Sequence, residues 1–117
     1  MSDRRLLLFD IDGTLIASGG AGEGALRDAM RTRFGIEEDL GGILLAGATD
    51  KKIAVAMLEK NGLAPSPENI AALLDEYLAH LETRIPKHNG RVLPGMIELL
   101  EILAKREEAV LALLTGN

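Results

Sequence analysis

Phe9-Asp10-Ile11-Asp12-Gly13-Thr14-Leu15 is the stretch of sequence that decides the fold. Its first residue, Phe9, is the last of an apolar run, residues 6–9, and the length of this run is typical of a strand buried on both faces of a sheet. Gly13 allows the chain to turn sharply directly after that strand. At strand spacing, the carboxylates of Asp10 and Asp12 project to the same side. The pattern therefore predicts two acids at the carboxyl end of a parallel strand, where open α/β folds bind ligands.

A second short apolar run, residues 109–114, predicts another buried strand near the end of the sequence. The segment between the two strands reads as helical, and two buried strands joined by helices predict a parallel sheet with right-handed crossovers. That segment is much longer than a single crossover needs. We therefore predict an α/β fold in which residues 1–15 and 92–117 form part of a Rossmann-like parallel sheet. Residues 16–91 are predicted to form an inserted helical domain.

Four helices are predicted from their end signals and their apolar spacing. The first covers residues 21–34 and stops at Gly35. Thr49 is a suitable N-cap for the second, Ser66-Pro67 opens the third, and Pro94-Gly95 begins the fourth. Residues 40–47 are apolar and rich in glycine, and we predict a loop there. The side chains predicted to face inward are Ala25, Leu26, Ala29, Met30 and Phe34 in the first helix, Ile53, Ala54, Met57 and Leu58 in the second, Ile70, Leu73, Leu74, Tyr77, Leu78 and Leu81 in the third, and Met96, Leu99, Leu100 and Leu103 in the fourth.

Composition narrows the class of protein. The chain has 117 residues, of which 47% are hydrophobic, and this suits one domain with a real core. A net charge of −5 without any basic stripe argues against nucleic acid as a partner. The chain has no cysteine, which excludes disulfides and thiolate metal sites. No apolar stretch is long enough to span a membrane and no signal peptide opens the chain, so we predict a cytoplasmic protein without a membrane partner.

The two acids at the end of the first strand also predict a metal. Neighbouring carboxylates repel each other unless they share a cation or a proton. Mg²⁺ fits such a pair, because it takes oxygen ligands and accepts phosphate oxygens in its shell. Asp10 and Asp12 are therefore the predicted metal residues. Thr14 adds a hydroxyl that can hold the turn.

Asp10-Ile11-Asp12-Gly13-Thr14, directly after an apolar strand, resembles the first motif of the haloacid dehalogenase superfamily, D-x-D-G-T. The resemblance implies that Asp10 is a nucleophile that accepts a phosphoryl group as an aspartyl phosphate. It implies that Asp12 is the general acid for the leaving oxygen and then the base that activates water. Mg²⁺ would bind the Asp10 side chain and the Asp12 backbone carbonyl. The dehalogenases of the family lack an acid at the second position, so Asp12 favours a phosphatase or a phosphomutase.

The resemblance extends along the whole chain. Thr115, at the end of the second strand, resembles the second motif, and its hydroxyl would donate a hydrogen bond to the transferring phosphoryl oxygen. Gly116, Asn117 and Gly13 would surround the same phosphate. Residues 92–95 are similar to the return from a cap domain to the core, which makes residues 16–91 a helical cap. Residues 47–50 look like a cap segment of the phosphoglycolate-phosphatase-like branch, whose substrates are small phosphorylated metabolites.

Two further motifs of the family, a lysine and an acidic pair, would follow the second strand, and no residue follows Asn117. We therefore expect little or no turnover from these 117 residues alone. We also expect either self-association through the unpaired edge of the incomplete sheet, or a sequence that is part of a longer chain. Two alternatives to a phosphatase stay open. One is a sugar phosphomutase that uses the same nucleophile and acid, and the other is a non-catalytic, truncated fragment.

Other patterns in the sequence carry less chemistry. Residues 20–25 fit the dinucleotide fingerprint G-x-G-x-x-A, but that motif should follow a strand directly, so we interpret these glycines as a hinge into the helical domain. Glu23 and Arg27 have the spacing of an i,i+4 ion pair. His80 and His88 lack the spacing of metal ligands, and we predict a helix face for the first and a loop for the second.

Overall fold

The structure is a computed structural model, and it describes residues 3–116. The chain divides into two compact units. The core unit comprises residues 3–19 and 89–115, and the helical unit comprises residues 20–88 together with Gly116. In chain order the elements are β1 (Arg5–Phe9), β2 (Ile16–Ala17), α1 (Ala21–Phe34), α2 (Asp50–Lys60), α3 (Pro67–Arg84), a short 3-10 helix (Ile85–Lys87), β3 (Arg91–Val92), α4 (Met96–Ala104) and β4 (Ala109–Leu113). No helix in the described residues is long and apolar enough to cross a membrane.

The core unit is built on a parallel pair of strands. β1 pairs with β4 in a register that sets Leu7 opposite Leu111 and Phe9 opposite Leu113. The helix α4 precedes β4, and its Leu103 lines a cavity of about 510 Å³ together with Leu7. The predicted α/β class with a parallel sheet is therefore confirmed.

The prediction that both strands are buried on both faces is wrong for this chain. Leu6 is 60% exposed, Leu8 is 52% exposed and Val110 is 42% exposed. The predicted buried face of α4 is also too optimistic, because Leu99 is 40% exposed and none of the residues of this helix is fully buried. The physical reason is that α4 is the one helix in the described part of the core unit, so the opposite face of the sheet is not covered by a helix of that unit.

A two-stranded antiparallel ribbon extends the core unit beyond the boundaries that the sequence predicts. Ile16 and Ala17 pair antiparallel with Val92 and Arg91. The core unit thus runs to Gly19 and resumes at Asn89, where the sequence predicted boundaries after residue 15 and before residue 92. Strands of two residues are too short to show any periodicity, which is why the sequence pattern does not reveal them.

The helical unit follows the local signals of the sequence closely. α1 covers the predicted residues and ends at Gly35, whose φ of 67° is left-handed. The hydroxyl of Thr49 accepts a hydrogen bond from the Lys52 backbone N–H at 3.3 Å, and Ser66 does the same for Asn69 at 3.2 Å, so both predicted N-caps are confirmed. Residues 40–47 form the predicted loop. The largest fully buried side chains are Met30, Met57, Leu58 and Leu73.

A buried acid fastens the loop after α1 to the end of α2. The side chain of Glu38 is 1% exposed and pairs with Lys60 Nζ at 2.6 Å. Its carboxylate also accepts hydrogen bonds from Asn61 Nδ2 at 2.8 Å and from the Leu40 backbone N–H at 2.9 Å. Because these donors all point at the charged carboxylate, they offset the cost of burying it.

The stability of the helical unit should fall between about pH 5 and pH 2 because of this acidic loop. A hydrogen bond from Lys60 and one from the Gly41 backbone N–H lower the pKa of Asp39 from 3.8 to about 2. Burial raises the pKa of Glu38, but the hydrogen bonds from Lys60, Asn61 and Leu40 outweigh it and the net pKa is lowered. A lowered pKa means that the unfolded chain binds more protons in this range, so stability is present above the unfolded pKa and is lost as pH falls. Urea unfolding at a series of pH values measures the loss. Lys60→Met should make it shallower, and an unchanged slope would contradict the assignment.

Candidate active site

The ends of β1 and β4 lie at the same edge of the sheet. The last ladder hydrogen bond runs from the Leu114 backbone N–H to the Phe9 carbonyl at 2.8 Å. Asp10 follows Phe9 and Thr115 follows Leu114, so each residue leaves its strand directly after this bond. The structure therefore places the predicted nucleophile and the predicted phosphate-binding hydroxyl at the carboxyl ends of neighbouring parallel strands, within one compact unit.

A tight turn carries the chain away from Asp10. The carbonyl of Ile11 accepts hydrogen bonds from the backbone N–H groups of Leu15 and Ile16, at 3.0 and 3.2 Å, and a longer one from Thr14. Gly13 donates to the Ile16 carbonyl at 2.9 Å and has a φ of 78°. A side chain at that left-handed position would be strained, so glycine is what lets the turn close. The turn fixes the backbone that joins the two acids.

The two acids differ in their surroundings. Asp10 is half-buried, and its Oδ1 accepts a hydrogen bond from the Ile11 backbone N–H at 2.8 Å, which holds the carboxylate at the mouth of the turn. Asp12 is exposed, and its backbone forms a bridge to Ile16. Asp10 is thus held at the strand end by a backbone hydrogen bond, and Asp12 lies two residues further along the turn.

The oxygen atoms at this site suit a Mg²⁺ ion that is coordinated partly by the protein and partly by substrate oxygens. Mg²⁺ usually binds through one or two carboxylates and completes its shell with waters and substrate phosphate. Asp10 offers such a carboxylate, and the backbone carbonyl of Asp12 is the second oxygen that the resemblance implies. In residues 3–116, no group of three or more acidic, histidine or cysteine side chains is close enough to hold a metal ion by itself. The pair would therefore supply part of a shell, as the chemistry of Mg²⁺ allows.

The predicted phosphate-binding residues that the structure describes do not all belong to the same unit. Gly13 is exposed at the turn, and Thr115 is half-buried at the end of its strand. Gly116 groups with the helical unit, where a Cβ atom on it would lie 2.6 Å from the Ala48 carbonyl oxygen. Asn117 lies outside the described residues. Their role in phosphate binding stays a prediction.

The remaining charged cluster lies in the helical unit and joins two helices. Arg84 of α3 pairs with Asp28 of α1 at 2.6 Å, and this hydrogen bond lowers the pKa of Asp28. His80 lies on α3, as predicted, with its Nε2 3.0 Å from the Thr32 hydroxyl of α1. The sequence could not indicate the Asp28–Arg84 pair, because the two residues are far apart in the chain. Their contacts join α1 to α3, and we interpret them as structural.

Comparisons with known proteins give the fold a context. No protein-family model matches the sequence, and no curated protein matches it. Several solved structures share the fold, and three of them serve as examples. A predicted phosphatase from Clostridium acetobutylicum has a TM-score of 0.72 and 21% identity over 97% of this chain and 50% of its own. A hydrolase from Pseudomonas syringae has a TM-score of 0.69 and 24% identity over 98% of this chain and 51% of its own. A predicted phosphoglycolate phosphatase from Haemophilus somnus has a TM-score of 0.68 and 17% identity over 98% of this chain and 52% of its own.

These similarities define the class of protein by its fold. The chain has the α/β fold of solved structures described as phosphatases and hydrolases, and it spans about half the length of each. At such identities the likeness establishes the arrangement of strands and helices. The chemistry has to be argued from the residues themselves.

Proposed function

We propose that this chain carries the nucleophile segment of a Mg²⁺-dependent phosphatase that hydrolyses a small phosphate monoester through an aspartyl phosphate on Asp10. The observation that carries the proposal is the pair of acids on the turn after β1, beside the end of β4. The shared fold of structures described as phosphatases supports it. The activity of the whole protein is part of the proposal, because the chain spans about half of those structures.

The proposal gives each acid one task. The Asp10 carboxylate attacks phosphorus, the P–O bond to the leaving alcohol breaks, and the phosphoryl group moves to an Asp10 oxygen. The hydrogen bond from the Ile11 backbone N–H orients the carboxylate for that attack. Asp12 donates a proton to the leaving oxygen and then accepts one from the water that hydrolyses the aspartyl phosphate. Its exposed position gives it access to both groups. The Thr115 hydroxyl donates a hydrogen bond to a phosphoryl oxygen.

Mg²⁺ would be held by the Asp10 carboxylate and the Asp12 backbone carbonyl. It would supply positive charge that lets an anionic carboxylate approach an anionic phosphate. The proposed substrate is a small phosphorylated metabolite, and the structure described as a predicted phosphoglycolate phosphatase supports this class. A phosphomutase would share the same first step, and release of free phosphate instead of an isomer separates the two activities.

Asp10→Asn should abolish the transfer of a phosphoryl group to the chain. The asparagine amide is not a nucleophile toward phosphorus, so no acyl phosphate can form. The test is intact-mass spectrometry after incubation with acetyl phosphate and Mg²⁺. The chain should gain one phosphoryl group, and chelation of Mg²⁺ should prevent the gain. Asp3→Asn is the matched control, because it removes an exposed acid that precedes the start of β1. This variant should label normally. Undiminished labelling of Asp10→Asn would rule out Asp10 as the nucleophile.

A further inference from the structure

The chain contains two asparagine–glycine pairs, Asn61-Gly62 and Asn89-Gly90. Such a pair can modify itself, because glycine has no side chain that would keep its backbone nitrogen away from the preceding asparagine side chain. The glycine nitrogen attacks Cγ of the asparagine, and a cyclic imide, a succinimide, closes. Ring closure requires that both the asparagine side chain and the backbone can rotate. The surroundings of each pair therefore decide which of them reacts.

The pair Asn61-Gly62 is held in an unreactive arrangement at the end of α2. Asn61 Nδ2 donates hydrogen bonds to Glu38 Oε1 and to the Met57 carbonyl, both at 2.8 Å. The Gly62 backbone N–H, whose nitrogen would be the attacking atom, donates to the Glu59 carbonyl at 3.1 Å. These hydrogen bonds must break before the ring can close, so the folded structure protects this pair.

The pair Asn89-Gly90 lies in a segment without these restraints. Both residues are exposed and belong to neither a helix nor a strand. Within residues 3–116, the Asn89 side-chain amide has no hydrogen-bond partner, and the Gly90 backbone N–H donates to no carbonyl. A Cβ atom on Gly90 would meet no atom closer than the Ala17 carbonyl oxygen, at 3.5 Å, so there is space around this residue. Asn89 Cγ can therefore approach the Gly90 nitrogen without the loss of a hydrogen bond.

We propose that Asn89 is a site of spontaneous deamidation and isomerisation in the folded protein, with water as the co-reactant. The Gly90 nitrogen forms a bond to Asn89 Cγ, the bond from Cγ to the side-chain nitrogen breaks, and ammonia leaves with the proton of the Gly90 N–H. Water then opens the succinimide at either carbonyl. Opening at Cγ gives aspartate. Opening at the backbone carbonyl gives isoaspartate, in which the main chain runs through Cβ and Cγ.

The reaction changes the chain at a link between its two units. The chain leaves the helical unit at His88 and re-enters the core unit at Asn89. The Asn89 backbone there passes close to Gly19, because a Cβ atom on Gly19 would lie 3.3 Å from the Asn89 carbonyl oxygen. Both products add a negative charge to this link, and isoaspartate also lengthens its main chain by one carbon atom. The inference does not rest on the proposed phosphatase activity.

The first test follows both asparagines in the folded, full-length chain. The protein is kept in mildly alkaline buffer, samples are digested with pepsin in acid, and mass spectrometry of the separated peptides measures aspartate and isoaspartate at each position. Asn89 should be converted at least about tenfold faster than Asn61, whose hydrogen bonds must break first. Conversion of Asn61 at an equal or higher rate, or an unmodified Asn89, would overturn the proposal.

Unfolding the same chain separates the effect of structure from that of sequence. In concentrated urea the hydrogen bonds of Asn61 and Gly62 are lost, so both pairs should react at similar rates. A preference for Asn89 that persists unchanged in the unfolded chain would show that local sequence sets the order, and it would overturn the structural assignment.

Gly90→Ala tests the chemistry at the site itself. The added methyl group restricts the backbone beside the attacking nitrogen, so conversion of Asn89 should slow several-fold. The variant should fold, because the nearest atom to the new Cβ lies at an ordinary contact distance of 3.5 Å. Asn61 is the internal control, and its rate should equal that of the wild type. Conversion of Asn89 at the wild-type rate in Gly90→Ala would rule out ring closure through the Gly90 nitrogen.

Discussion

Asp12→Asn is expected to slow the single transfer of a phosphoryl group from phosphoglycolate to the chain, a step that stops short of turnover, by about 10²- to 10⁴-fold, while the same transfer from acetyl phosphate changes little. The reason lies in the leaving groups. The alkoxide that leaves from phosphoglycolate is strongly basic and needs a proton from the general acid. Acetate is a weak base and leaves without one. In the proposed mechanism, the exposed Asp12 carboxyl, two residues after the proposed nucleophile, gives that proton.

The measurement is the initial rate of labelling with each donor, followed by intact-mass spectrometry. The ratio of the two rates reports the proton transfer and cancels any general loss of folded protein. Thr14→Val, which removes a hydroxyl from the same turn, serves as the comparison and should affect both donors alike. If Asp12→Asn slowed both donors equally, Asp12 would be a residue of metal binding or of the turn, and its role as general acid would be refuted.

Leu73→Ala is expected to lower the free energy of unfolding of the helical unit by about 2–5 kcal/mol. Leu73 is fully buried in α3, within the cluster that includes Met30, Met57 and Leu58. Truncation removes apolar contacts and leaves a cavity that the surrounding helices can fill only in part.

Leu78→Ala is the matched control for this prediction, since it makes the same change on the same helix. Leu78 is 56% exposed, although its spacing predicted an inward position, and its truncation should cost no more than about 0.5 kcal/mol. Urea unfolding followed by circular dichroism at 222 nm measures both variants. Equal losses would mean that the two sides of α3 are buried alike, contrary to the structure.

The helical unit shows what local sequence signals can predict. Thr49 and Ser66 cap α2 and α3 as expected, because capping depends on neighbouring backbone groups only. Gly35 ends α1 for the same reason. The salt bridge between Glu38 and Lys60 cannot be predicted from the sequence, because it depends on how the loop after α1 returns to α2. Nothing in local spacing distinguishes such a pair from two solvated charges.

The core unit shows where the pattern misleads. A short apolar run predicts burial on both faces, yet even Leu7, which lines a cavity together with Leu103 of α4, is only half-buried. The prediction fails for Leu6 and Leu8, since burial depends on which other elements are present and not on the strand itself. At the candidate site, the sequence predicts the turn at Gly13 and two acids at the strand end. The hydrogen bond that orients Asp10 becomes visible only with the backbone geometry.

The most direct test of the proposed chemistry is to locate the phosphoryl group on the unmodified chain. After incubation with acetyl phosphate and Mg²⁺, reduction with borohydride converts an aspartyl phosphate to homoserine, which fragmentation mass spectrometry can place in the sequence. The proposed mechanism predicts that the converted residue is Asp10 and that no conversion occurs without Mg²⁺. Conversion at Asp12 or at another acid would contradict the assignment of Asp10 as the nucleophile, and equal labelling without the metal would contradict the proposed role of Mg²⁺.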